Sequence, residues 1–168
     1  MRGADVPLRL GPVVIEIGRW VYGTVILMTV LVVYADEGPV TFGESAGIVV
    51  TQLLATFLAH LFAGVLVTLN RADGGLSRRD FAELVRSEAQ YIMLTVPPLA
   101  VLLAGAVGAY DAPTAVSLIV RGGVALLVAL GALGGKRAGL RPWGVAACAV
   151  GSGVLGLLVL VAQVLLKL

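Results

Sequence analysis

The chain has 168 residues, 59% of them apolar and only 13% charged, with a mean hydropathy of +1.01. A soluble globular domain carries about 25% charged residues, so this composition excludes an ordinary water-soluble enzyme and is taken up by a single membrane domain over 1–168. The net charge of +2 sits on loops between apolar runs and reads as a topology signal, not as a nucleic-acid surface. The single cysteine, Cys148, excludes an internal disulfide and a thiolate metal cluster.

Five apolar runs cover residues 13–34, 46–69, 89–108, 115–133 and 144–166. Each is near the ~20 residues that cross a ~30 Å hydrocarbon core. Basic residues gather at Arg2 and Arg9, at Arg71, Arg78, Arg79 and Arg86, and at Lys136, Arg137 and Arg141, whereas the loops 35–43 and 109–113 have none. The positive-inside rule then gives a cytoplasmic N-terminus and an outward C-terminus. The expected fold is an all-α integral membrane protein, a bundle of five transmembrane helices with a short amphipathic cytoplasmic helix before the third span. Abundant Ala, Gly, Val, Leu and Arg with two Lys point to a GC-rich bacterial genome and a multi-pass place in the bacterial cytoplasmic membrane.

In the first run, Arg2 and Arg9 precede apolar residues, and Val33-Tyr34-Ala35 looks like a signal-cleavage site. The run is longer than a signal h-region of about 7–15 residues and carries Glu16 and Arg19, so it reads as a retained span. Pro12 suits a first helical turn. Glu16 and Arg19 are spaced to pair within one helix. They form either an interfacial pair that snorkels to water or a carboxylate site facing a cytoplasmic vestibule. Tyr34 then closes the span at the outer interface.

Thr41 and Glu44 have capping-box spacing, which starts span two near Thr41. His60, the sole histidine, lies 16 residues past Glu44 and 10 before Asn70, roughly 15 Å from the inner end at about 1.5 Å per residue. It is either a neutral ring bonded to a neighbouring hydroxyl or carbonyl, or a proton relay or metal ligand. Ala55, Ala59 and Ala63 repeat at the spacing that lets helices approach closely.

Ser77 and Asp80 carry a second capping signal. From there Phe81, Leu84, Val85 and Glu88 share a stripe opposite the charged residues, an amphipathic helix for the inner surface. Glu88 on that stripe points toward protein, or serves the N-terminal dipole of span three. Pro97-Pro98 predicts a kink, a hinge candidate, with clashes around Met93 and Leu94. Tyr110-Asp111-Ala112-Pro113 makes an outer turn. Tyr91 and Trp143, like Tyr34 and Tyr110, are placed in aromatic belts.

Arg121 in span four lies about 12 Å below the outer surface. Gln52, Thr51, Gln163 and Ser117 are its partners by depth, and none is a carboxylate. Beside Gly122-Gly123 it is either an anion-binding cation or a lock on backbone carbonyls. In span five the pairs Ala147/Gly151, Ala149/Gly153 and Ser152/Gly156 allow close packing.

No His-Glu-x-x-His, Gly-x-Ser-x-Gly or P-loop occurs, and Gly151-x-Gly153-x-x-Gly156 lies inside a span. Nothing in the pattern calls for a cofactor, and the metal question stays open at His60. The order of two spans, an amphipathic insert and three more spans resembles the vacuolar iron transporters in layout alone; their acidic, methionine-containing metal pattern is absent here, and no residue is carried over. The transport-path candidates are His60, Arg121, Glu16, Glu88, Arg19 and Gln52. The expected function is an oligomeric ion- or proton-coupled transporter or channel, with membrane lipids, a second copy of itself and a small ion or solute as partners. The alternative is a non-transporting scaffold or accessory subunit of a larger complex. An intramembrane enzyme acting on lipid comes last, because only Glu88 with His60 approaches an acid–base pair.

Overall fold

The computed structural model describes residues 7–10, 13–71 and 76–165. Helices make up most of it: α1 (Ile17–Glu37), α2 (Phe42–Arg71), α3 (Arg78–Glu88), α4 (Gln90–Met93), α5 (Val96–Ala106), α6 (Ala112–Arg137) and α7 (Pro142–Leu165). Ahead of them β1 (Pro7–Leu10) and β2 (Val13–Glu16) form a short antiparallel pair, with Leu10 opposite Val13.

Four segments are long and apolar enough to cross a membrane: Ile17–Glu37, Phe42–Asn70, Arg78–Ala106 and Ala112–Arg137. Pro142–Leu158 is a shorter apolar helix, although α7 as a whole continues to Leu165. This is the make-up of an all-α, multi-pass membrane protein, whose backbone polar groups are satisfied within helices. By this measure four of the five expected spans are long enough, and the fifth run is represented by the shorter stretch.

Element boundaries depart from the expected ones for identifiable reasons. The first helix starts at Ile17 and not at Val13. Val13, Val14 and Ile15 are consecutive β-branched residues, which favour extended backbone, and they pair with β1. The third span is three pieces, not a single helix from Ala89. Pro97 and Pro98 have no N–H for the carbonyls of Met93 and Leu94. The chain therefore tightens at Leu94–Thr95, where the Thr95 N–H donates to the Ile92 carbonyl at 3.1 Å, and the prolines enter the first turn of α5, which tolerates them.

Helix starts follow the capping chemistry. The Glu44 N–H donates to Thr41 Oγ1 at 3.3 Å at the head of α2. Ser77 and Asp80 form a reciprocal capping box on α3. Asp111 caps α6 by accepting from the Thr114 N–H at 3.1 Å. Gly108 (φ 98°) and Gly139 (φ 69°) supply the left-handed turns after α5 and α6.

The core joins Leu27 and Leu31 of α1, Val49 and Leu53 of α2, Leu94, Leu102 of α5, and Ala115, Val116 and Ile119 of α6. Helix α7 lies on α6 through glycines. A Cβ on Gly131 would run into Cys148 and Ser152, and one on Gly156 would stand 2.8 Å from Leu127 Cδ1. Ala55, Ala59 and Ala63 face outward with Leu58 and Phe62, so their spacing is not used inside the bundle. Ala147 and Gly151 are also exposed, whereas Gly153 and Gly156 are buried.

Candidate functional site

Three of the sequence candidates meet at one place, where the start of α1, the middle of α2 and the α3–α4 junction converge. Arg19 reaches from α1 and places Nη1 3.0 Å from Glu88 Oε1. The same nitrogen donates to the Ser87 carbonyl at 2.6 Å. The Glu88 side chain is 6% exposed and that of Arg19 24%. A carboxyl so deeply buried is tolerated because a guanidinium lies within ion-pair distance of it.

One turn further along α1 and α4 lies the second half of the site. His60 Nε2 stands 3.3 Å from the Tyr91 hydroxyl, and the imidazole tautomer decides which group donates. The Tyr22 ring meets the imidazole edge-on at 5.5 Å, and the Tyr91 ring lies tilted at 5.0 Å. Gly23 permits this approach, since a Cβ there would come 2.6 Å from Leu94 Cδ2 and 3.2 Å from Tyr91 Cδ1. Ion pair and aromatic cluster thus adjoin, borne by the same turns of α1 and the same interrupted third helix.

From His60 polar groups continue up α2 at four-residue steps: Thr56, Gln52 and, beyond Ile48, Glu44. The Thr56 hydroxyl donates to the Gln52 carbonyl at 2.9 Å. At the far end Glu44 Oε2 accepts from Tyr34 Oη at 2.6 Å and from Thr41 Oγ1 at 2.7 Å. Glu44 and Gln52 border an open groove of about 440 Å³ against Val30 and Tyr34 of α1. Glu44 and His60 are about 24 Å apart along the helix. Polar groups thus recur along this face of α2, at Glu44, Gln52, Thr56 and His60, beside the apolar contact of Leu27 and Leu31 with Val49 and Leu53.

The remaining candidates lie elsewhere. Glu16 belongs to β2, so it has no helical spacing to Arg19, and its side chain is outside the described residues. Arg121 is exposed on α6 and has no hydrogen-bond or ion-pair partner among the described residues; of the residues matched to it by depth, the Gln163 side chain is not described. Pro97 and Pro98 border an apolar cavity between α1, α5 and α6. Among the described residues no group of three His, Cys, Asp or Glu side chains is placed to hold a metal ion.

Sequence reasoning missed Tyr22, Ser87 and Tyr91. Tyr91 was assigned to an interfacial belt, yet it is 1% exposed, because α4 turns it inward against Gly23. Its signal was weak: a tyrosine three residues after an apolar-face glutamate. Trp143, by contrast, is 88% exposed.

No family model, no curated protein and no solved structure matches the chain.

Proposed function

We propose that this protein is a small multi-pass membrane transporter or channel in which protons or a small ion follow the seam between α1 and α2. The observation that carries the reading is the contact of His60 with Tyr91 beside the Arg19–Glu88 pair. Titratable groups inside a membrane domain are costly and mark ion or proton paths. Here they are held by a helix that is broken twice over a short distance, at Ala89 and at Leu94–Thr95, the arrangement transporters use to bind and release ions.

In this reading Glu88 and His60 take and give protons, Arg19 supplies the counter-charge, and Tyr91 hands the proton between elements. Gln52 and Glu44 continue the path toward the other side. Movement at Leu94–Thr95, guided by Pro97 and Pro98, breaks and remakes the His60–Tyr91 contact. The alternating loop charges orient the protein with its N-terminus and the Arg78–Arg86 helix in the cytoplasm and the α1–α2 and α5–α6 turns outside. The bacterial cytoplasmic membrane is its proposed location.

The seam opens on the outer surface of the bundle, where Tyr22 is 49% exposed. A second copy would close it, and the outward row Ala55, Ala59, Ala63 offers the close approach such a contact needs. Arg121 joins the path only where a neighbouring copy brings it to the seam. The same outward row also supports the second reading, a scaffold that docks a larger complex. Flux measured in proteoliposomes, wild type beside His60→Ala, separates the two: transport requires a flux that the variant loses, and a scaffold has none to lose.

A further inference from the structure

Arg121 is the one charged residue of α6 ahead of Lys136. It is exposed, and among the described residues nothing hydrogen-bonds or pairs with it. An unpaired arginine within a span is costly, so it marks a contact made outside the chain. Beside it Gly122 is exposed, and a Cβ there would meet nothing within 4 Å, which leaves this stretch of backbone open to another helix.

The matching acceptors stand on the open groove between α1 and α2. Thr51 and Gln52 border it, Glu44 lies at its outer end, and no basic residue lines it. Thr29, Thr56 and Thr68 each donate to the carbonyl four residues earlier. The exposed Thr51 hydroxyl does not, and neither it nor the Gln52 side-chain amide has a partner among the described residues.

Depth relates donor to acceptors. Phe42, just before α2, and Tyr110, just before α6, both meet Gly105, so α1 ends where α6 begins. Gly123 of α6 packs on Met28 of α1. Two residues toward that end from Gly123 lies Arg121; two residues toward it from Met28 lies Val30, which lines the groove with Thr51 and Gln52. Helix side chains lean toward the N-terminus, which for α6 is this same end. The guanidinium therefore comes level with Thr51 and Gln52. Rotation about the membrane normal keeps every residue at its depth, so a second copy can present Arg121 to the groove without a vertical shift.

We propose that copies of this chain assemble head to tail, with Arg121 of one copy entering the α1–α2 groove of the next and donating to Thr51 Oγ1 and Gln52 Oε1. A groove with neutral oxygens, a carboxylate at its mouth and no cation complements a lone guanidinium. The inference rests on the proposed closure of the seam by a second copy and names the residue that makes the contact. Its test uses no gradient, so a protein that assembles this way but carries no ion refutes the flux alone.

Energy transfer between copies labelled at Glu37→Cys, in a Cys148→Ser background and reconstituted at falling protein-to-lipid ratios, reads the association. Arg121→Leu and Gln52→Arg are each expected to weaken it about tenfold, the equivalent of about 1.4 kcal/mol. Arg121→Gln combined with Gln52→Arg in one chain exchanges donor and acceptor and restores association, which misfolded protein would not do. A wild type that stays monomeric at every ratio overturns the proposal. So does association that folded Arg121→Leu leaves intact, because another face then joins the copies. A loss that the exchange fails to restore overturns it too, and assigns Arg121 to lipid headgroups or to a different protein.

Discussion

Arg19 and Glu88 belong to different helices and meet at 3.0 Å, with the arginine also holding the Ser87 carbonyl. The pair ties the start of α1 to the end of α3, so it fixes where the third helix breaks away toward α4. Through that break it sets the position of Tyr91 and hence of the His60 contact.

Breaking the pair from one side leaves a buried charge. Arg19→Leu alone is expected to destabilise the protein by about 3 kcal/mol, and Arg19→Leu with Glu88→Leu to recover most of that loss. Thermal unfolding in detergent checks both. A single variant as stable as the wild type contradicts the ion-pair assignment.

Glycine contacts make a second set of expectations. Gly131→Ala drives a Cβ against the Cys148 carbonyl, which is backbone and cannot swing away; the expected cost is about 1–3 kcal/mol. Gly151→Ala, which meets open space, is neutral or slightly stabilising because alanine is the better helix former. Equal melting temperatures for the two would refute the packing of α7 on α6.

Asp111 gives a pH dependence with a definite sign. Hydrogen bonds from Thr114, side chain first and backbone second, hold its carboxyl below the ordinary 3.8. A depressed folded value means that the cap contributes stability above the unfolded value, which fades as pH falls through the folded one. Protection of the Thr114 amide from hydrogen exchange should therefore persist to below pH 3.8. In Asp111→Ala protection is low at every pH. Loss of wild-type protection already above that value would contradict the cap.

Orientation is tested with single cysteines. In a Cys148→Ser background, Glu37→Cys and Ala109→Cys are expected to react with an impermeant maleimide from outside intact cells, and Leu140→Cys only after permeabilisation. Labelling of all three from one side would overturn the alternating topology.

What was legible in the sequence is what rests on local chemistry. Thr41 with Glu44 and Ser77 with Asp80 mark helix starts because capping involves residues three apart. Pro97-Pro98 marks an interruption at Met93–Thr95 because proline disables carbonyls four residues back. The site was only half legible. Arg19 was matched to Glu16, the carboxylate nearest in sequence, whereas β-branched Val13–Ile15 keep Glu16 out of the helix and Glu88 arrives from another element. Tyr91 met the same limit: only the packing of α4 on Gly23 distinguishes a buried tyrosine from an interfacial one.

The most direct test of the account is proton flux in proteoliposomes of the purified, correctly inserted protein, wild type beside His60→Ala, Glu88→Gln and Arg121→Ala. The account predicts flux in the wild type, its loss in folded His60→Ala and Glu88→Gln, and a smaller change in Arg121→Ala. A wild type that carries no proton or ion under any imposed gradient would contradict it and leave the scaffold reading.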